Sequence, residues 1–421
     1  MSSQLNISNI KPLTGSGTIN IGSTSSNSIQ INTTTQAVTL GPSGSLEGNT
    51  IKGISANNVN FTAPITIGGE NFGGRRNLVY NGAMKISQTA TSSTTVGGSN
   101  GYPSVDRFGY FASGDGRVTH AQASITDLPG FTKALKLSCT TADTSLAATD
   151  YFHINYGIEG QDLQRLKMNT ADAKNMQVSF YVKGNANATY TFRAQTQPNG
   201  GTARWFAKEF SVTSSWQRVT ITIPGDTDTS SGHGIDDNAN LGMWFIIYLY
   251  GGSNYSSGTF AESTWQDRDY TKAIGDNQTN FFDSTDRTIE ITGFQAEIGE
   301  TVTEFEHKTF QEDLRDCNRY LCVWRANAQY HNFAIGRAYS TTKGTAVMTT
   351  PVPMRALPTL VTSTVSGGFT YSHSSFTITN HEDALFQQFT MDSTGAFTSN
   401  GAYAVEANAA DIFIEFRAEV I

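Results

Sequence analysis

The chain has 421 residues, a length that allows roughly two to four domains. Only 15% of them are charged, below the roughly 25% of average domains. Gly reaches 40 residues, and Ser, Thr and Asn abound, which suits strands joined by turns and argues against a helix-rich architecture. The net charge of −8, with no Lys/Arg cluster beyond Arg75-Arg76, argues against nucleic acid as a partner.

The opening MSSQLNISNIKPL has neither a basic n-region nor an apolar h-region, so no signal peptide is expected. Residues 1–74 hold no aromatic before Phe61 and few charges. Short apolar alternations recur there, each closed by a Gly: TINIG, AVTLG and PITIG. One such unit cannot bury its apolar face alone, whereas three chains wound together can. An intertwined β-rich stem is the expectation over 1–74, against a disordered linker.

Residues 75–305 read as a β-sandwich domain. MQVSFYVKG places Met176, Val178, Phe180 and Val182 on one face, and ATYTFRAQ alternates Tyr190 and Phe192. WQRVTITIP brings Ile221 and Ile223 into alternation before Pro224. RTIEITGFQAEIG aligns Ile289 and Ile291, with Gly293 as a predicted bulge before Phe294. LGMWFIIYLY is the most apolar stretch, yet it is far shorter than the about 20 residues a membrane span needs. The loops implied by so large a sandwich are where ligands usually bind.

Residues 306–324 carry acids early, bases later and no Gly or Pro, the pattern of a connecting helix. Phe310, Leu314, Cys317 and Leu321 would share one face. Residues 325–421 return to strands and end on DIFIEFRAEVI, which alternates Ile412, Ile414 and Phe416 as the last strand of a β-rich tip domain. The three cysteines, Cys139, Cys317 and Cys322, form no disulfide framework and read as small buried thiols made in a reducing cytoplasm.

Several ordered segments resemble a tail-fibre and tail-tip family of bacteriophages and prophages. They are RNLVYNGAMKISQ (76–88), YPSVDRFGYF (102–111), YGIEGQDLQRL (156–166), SSWQRVTITIPGD (214–226), GSNYSSGTFAESTWQ (252–266) and ITGFQAEIGETVTEFEHKTFQEDLRDCNRY (291–320). PVPMRALPTL (351–360) is similar to the Met-Arg-x-x-Pro-Thr signature of that family's tip domain. The resemblance covers roughly residues 75–365 and departs from the pattern at Gln88-Thr89. It implies a galactose-binding-like jelly roll of the carbohydrate-binding-module kind, carried on a homotrimeric fibre of the virion. Residues 1–74 would then meet other phage tail proteins, and NLVYNGAM would pair with ITGFQAEIG at the sheet edge.

Candidate contacts follow. Sugars present flat C–H faces that stack on aromatics while polar neighbours bond their hydroxyls. Tyr255 and Trp265 are the candidate stacking rings, and Asn254, Gln266 and Asp267 the candidate bonding groups; packing on a neighbouring strand or subunit is the other reading. Trp216 reads as core rather than a ligand contact, and Asp106 with Arg107 as a buried ion pair ordering its loop, with ligand contact the other reading. Asp236 and Asp237, near His233, are adjacent and make no glycosidase pair; they read as solvated turn residues or a structural calcium site. No other cofactor is expected, and the remaining histidines read as ordinary polar residues. Together these readings describe a non-enzymatic virion protein, synthesised in the host cytoplasm and released by lysis. It would be a homotrimer that adheres to a host surface glycan without inserting into a membrane. A structural tail adaptor or collar, and a glycan-degrading tail spike, are the alternatives.

Overall fold

The computed structural model describes residues 75–230, 232–362, 373–379, 386–393, 399–407 and 409–419, and the strand pair Thr66–Ile67 with Glu70–Asn71. Apart from that pair, the stem expected over 1–74 lies outside the described residues, as do parts of the expected β-rich tip, residues 363–372 among them.

Two antiparallel sheets face each other. The first runs Gln266–Asp267, Arg204–Val212, Ala188–Thr196, Leu241–Gly251, Tyr151–Glu159, Gly109–Ser113 and Asn100–Gly101. The second runs Gln217–Ile223, Met176–Gly184, Thr288–Ile298, Lys133–Thr141, Arg117–Ser124 and Ser92–Val96. The alternation expected of a sandwich is realised, because successive strand side chains point to opposite faces. Met176, Val178, Phe180 and Val182 point into the space between the sheets, where they meet Phe192, Phe245 and Phe294. Phe180 and Phe294 stack there with centroids 5.1 Å apart. The all-β expectation holds, and both sheets are antiparallel throughout.

Gly293 adopts φ 61° at a slip in register between Thr292 and Gln295, which is the predicted bulge. The strand Thr288–Ile298 lies inside its sheet, however, flanked by Met176–Gly184 and Lys133–Thr141. Its pairing with Lys133–Thr141 ends at Ile291, and the segment from Asn77 to Met84, though not a regular strand, bonds to the side left free beyond it. It crosses the end of the strand in an irregular conformation, with Leu78 N donating to Ala296 O at 2.8 Å and Phe294 N to Gly82 O at 2.9 Å. A Cβ on Gly82 would stand 2.1 Å from the Phe294 carbonyl oxygen, so only glycine permits this approach.

The helix spans Phe310–Asn318, within the 306–324 stretch. Thr309 and Glu312 form a reciprocal capping box that starts it, and the chain enters the strand Leu321–Arg325 soon after. Its packed side keeps part of the expected face: Cys317 is buried, as is Leu321 just beyond the helix, whereas Phe310 is 53% exposed. Asp313 is buried as well, and Asp316 pairs with Arg75 and, at 3.5 Å, with Lys308.

C-terminal to the helix, Phe413–Arg417 lies between Leu321–Arg325 and Thr359–Thr362. Ile412, Ile414 and Phe416 are buried there, as their alternation predicts. A five-stranded sheet follows the order His373–Thr379, Phe386–Ser393, Lys343–Thr349, Asn332–Ala338, Ala402–Glu406.

Buried polar groups lock this C-terminal part to the sandwich. Asp106 and Arg107 are both buried but do not pair with each other. Asp106 accepts from the backbone and side-chain nitrogens of Gln88, each at 2.8 Å. Arg107, in a left-handed conformation at φ 73°, reaches away to Glu419 at 2.5 Å, with side-chain exposures of 1% and 0%. Its guanidinium also lies 3.5 Å from the Tyr320 ring centre and donates to Gly157 O at 2.6 Å. The expected local ion pair is thus replaced by one that spans 312 positions. The two residues lie in a turn, where the left-handed backbone at Arg107 sends the neighbouring side chains to different partners. Nearby, Arg319 grips both oxygens of Glu159 at 2.7 Å, and Tyr320 Oη donates to the same carboxylate at 2.6 Å.

Glu419→Ala would leave the Arg107 cation buried and unpaired, at an expected cost of about 3–5 kcal/mol, read as a lower urea midpoint. Arg107→Met combined with Glu419→Met should cost much less. Equal losses in the single and double variants would show that packing, rather than the uncompensated charge, sets the cost.

Candidate functional site

The strand Leu241–Gly251 is apolar on both faces because both are covered. Met243, Phe245, Ile247 and Leu249 enter the inter-sheet core. Trp244, Ile246 and Tyr248 point outward and belong to a second cluster with Trp205, Ala273 and Ile274. The cover is the loop that returns over this outer face between Gly252 and Gly275.

That loop is tied down rather than free. A Cβ on Gly252 would meet Ala147 O at 2.0 Å, so glycine lets the chain turn closely against residues 147–148. Ala273 N and Ile274 N both donate to Tyr255 O, at 3.0 and 3.1 Å. Asp269 caps the turn Tyr270–Lys272 by accepting from Thr271 N at 3.1 Å. The two legs of the loop are thereby held together beside the sheet.

Between loop and sheet lies a cleft of about 500 Å³, within the ~300–1,000 Å³ typical of ligand sites. Its walls are aromatic. Tyr255 meets Tyr151 edge-on at 5.2 Å, and Tyr270 at 6.4 Å. Phe111 meets Trp244 edge-on at 5.5 Å. Its floor is polar: His153, Arg193 and Gln195 project from two central strands. All three are buried, yet His153 Nδ1, Arg193 Nε and Nη1, and Gln195 Oε1 have no hydrogen-bond partner among the described residues. Buried polar atoms are rarely left so, because each costs roughly 1–3 kcal/mol unpaired. Burial, reinforced by the neighbouring Arg193 charge, pushes His153 down to about 3, so it is neutral across the physiological range. Burial also lowers Arg193 from its ordinary value. A second hollow of about 530 Å³ adjoins the cleft and shares Phe111, Gln197 and Trp244 with it.

The structure divides the residues expected to bind. Tyr255 and Asn254 line the cleft. Trp265 does not. It packs against the inter-sheet core beside Phe206, and its Nε1 donates to Pro224 O at 2.7 Å. Gln266 pairs across to Trp205 at the sheet edge. Asp267 accepts from Arg204 Nη1 at 2.8 Å. These three are outside the cleft because the chain reverses between Tyr255 and Trp265 and then re-enters the sheet. Trp216 is only half-buried. Its Nε1 donates to Asp127 at 3.0 Å and Lys183 Nζ lies 4.9 Å from its ring centre, far from the cleft in the other sheet's neighbourhood.

Asp236 and Asp237 are both exposed and are not joined by a third metal-binding group. Asp236 lines the adjoining hollow. Among the described residues, the one three-ligand grouping is Asp228, His233 and Asp267. Its charge is already met: Arg204 Nη1 lies 3.0 Å from Asp228 and 2.8 Å from Asp267, while its Nε contacts Asp226 at 2.6 Å. A divalent ion there would have to displace or face that guanidinium.

No protein-family model matches the chain, and no curated protein is significantly similar to it. Among solved structures, it is similar to the enzymatically active domain of bacteriophage CBA120 tailspike protein 4, at 9% identity and TM-score 0.28, over 53% of this chain and 21% of that one. It is similar to the family 11 carbohydrate-binding module of the Clostridium thermocellum cellulase Lic26A-Cel5E, at 13% identity and TM-score 0.25, over 47% and 91% of the two chains. It is also similar to the family 30 module of Cel9D-Cel44B from the same organism, at 12% identity and TM-score 0.26, over 51% and 98%. What the cleft holds is therefore argued from its own side chains.

His153 ties the site to pH. Its folded value of about 3 lies below its ordinary 6.5, so the unfolded chain binds the extra proton first. The stability it contributes is whole above pH 6.5 and is lost as pH falls toward 3. In His153→Asn, thermal unfolding between pH 6.5 and 4 should show a shallower acid slope than in the parent. An unchanged slope would mean His153 is already protonated in the folded state.

Proposed function

We propose that the protein is a glycan-binding subunit of a phage tail fibre, which holds a host surface saccharide in the cleft between the seven-stranded sheet and the 252–275 loop. One observation carries this reading: aromatic walls stand around buried hydrogen-bonding groups that the protein itself leaves unpaired. That combination suits a sugar, whose C–H faces stack on rings while its hydroxyls both donate and accept. Binding without cleavage is supported by the lining of the cleft, which includes no Asp or Glu. Glycosidases ordinarily need two carboxylates flanking the bond they break.

The assignment to a virion fibre rests on the ordered segments that resemble those of tail-fibre proteins. The buried free thiols Cys139, Cys317 and Cys322 suit synthesis in a reducing host cytoplasm. A homotrimer is supported by apolar side chains left in solvent on the C-terminal five-stranded sheet, where Ile335 is 77% and Val347 50% exposed. Exposed apolar patches of this sort mark contact surfaces. Three cleft copies per fibre would convert weak single-site binding into avidity.

Binding of host surface polysaccharide, followed by size-exclusion chromatography, tests the function. The polysaccharide should comigrate with the protein at unchanged length. Tyr255→Ala should weaken binding about tenfold or more, since an aromatic stack is worth roughly 1–3 kcal/mol, while Trp265→Ala should lower stability instead. Shortening of the polysaccharide would reveal cleavage and overturn the adhesion reading. For the oligomer, Ile335→Lys with Val347→Lys should reduce the mass measured by light scattering from three chains to one. An unchanged trimer would place the contact elsewhere.

A further inference from the structure

Stacking on aromatic walls would suit a neutral sugar as well as a charged one, but the charge in the cleft is one-sided. The charged side chains that line it are Arg193 and Arg268, both cations. Arg193 is 2% exposed, and among the described residues no carboxylate pairs with it. Two rings sandwich it, with its guanidinium carbon 4.3 Å from the Trp205 centre and 4.8 Å from that of Tyr248. These contacts hold the cation in place without neutralising it. Arg204, on the neighbouring strand, shows the contrast, because three carboxylates surround it.

Resting on the glycan reading of this same cleft, we infer that the bound saccharide is acidic and that the carboxylate of a uronic acid residue meets the Arg193 guanidinium. A planar guanidinium offers parallel N–H donors that match a carboxylate. Gln195 Oε1 and His153 Nδ1 then bond the hydroxyls beside it, and Arg268 adds a second positive charge at the rim. The chain's net charge of −8 does not oppose this. Charges separated by more than a Debye length, about 8 Å at physiological salt, are largely screened, so the cations lining the cleft outweigh acids elsewhere.

The test uses the full chain and pairs of matched probes: oligogalacturonate and uronic-acid-containing bacterial capsular polysaccharides, each native and after reduction of its carboxyl groups to the neutral sugar. Binding is read by calorimetry. At least one native probe should bind, its reduced form about tenfold or more weaker, because charge-assisted hydrogen bonds are lost. Arg193→Gln should lower affinity for the native probe to that of the reduced one. Should that variant fail to fold, Arg268→Gln, at the exposed rim, should still weaken the native probe alone. Equal binding of native and reduced forms would overturn the acidic preference and leave the glycan reading standing. Binding of neither form in any pair, by protein with a native circular dichroism spectrum, would overturn both.

Discussion

A single buried guanidinium, that of Arg107, holds together parts of the chain that otherwise have little reason to meet. It joins Glu419, the ring of Tyr320 and the carbonyl of Gly157. Each group comes from a different element, and the last lies on the same strand as Glu159, which Arg319 and Tyr320 clamp in turn. Taking ions out of water costs several kcal/mol each, so such a pair contributes less to raw stability than to geometry. An alternative packing of the C-terminal sheet would leave both charges buried and unmatched. Arg355, from the PVPMRALPTL segment, adds three bonds of the same kind, to the carbonyls of Ala239, Ala418 and Glu419. Asp106 lies within this polar region, where burial pushes it up to about 7 even though Gln88 donates to it twice.

This junction reaches the cleft through one strand. Tyr151–Glu159 carries Gly157 and Glu159 at its C-terminal end and Tyr151 and His153 at its N-terminal end. It pairs with Leu241–Gly251 along nearly its whole length. The clamp and the polar floor of the cleft are therefore parts of one sheet, while Tyr255 and Tyr270 reach the cleft from the covering loop. Placing His153, Arg193 and Gln195 on the sheet holds them ready for a ligand and keeps the entropy lost on binding low.

The strand pattern was legible because burial of one face imposes period two, which is visible in Met176, Val178, Phe180 and Val182. The bulge at Gly293 was legible for a similar reason, since glycine interrupts an otherwise regular alternation. The floor of the cleft was written in the same period but overlooked. In YFHIN and TFRAQTQ, polar residues occupy the alternate positions of strands whose other face is apolar, and His153, Arg193 and Gln195 are those residues. Polar alternation usually means a solvated face, and only the cover supplied by residues 252–275 turned it into a cleft. Tyr255 and Trp265 could not be told apart, because a loop has no period to assign its side chains to faces. The partner of Arg107 was equally hidden, lying 312 positions away at Glu419, while that of Asp106, Gln88, is 18 positions away and carries no charge to signal the pairing.

Arg193 shows why the cleft is better explained by a ligand than by packing. An isolated buried cation loses several kcal/mol of solvation. Contacts with two rings return about 0.5–2 kcal/mol each, and the partly unbonded guanidinium edge returns nothing. A Leu or Met at the same position would fill the space between Trp205 and Tyr248 at lower cost. Elsewhere the chain gives buried guanidinium groups acidic partners, one carboxylate at Arg107 and three at Arg204. At Arg193 it does not, although the same strands could present an acid. Of these three guanidinium groups, Arg193 is the one that no carboxylate meets among the described residues.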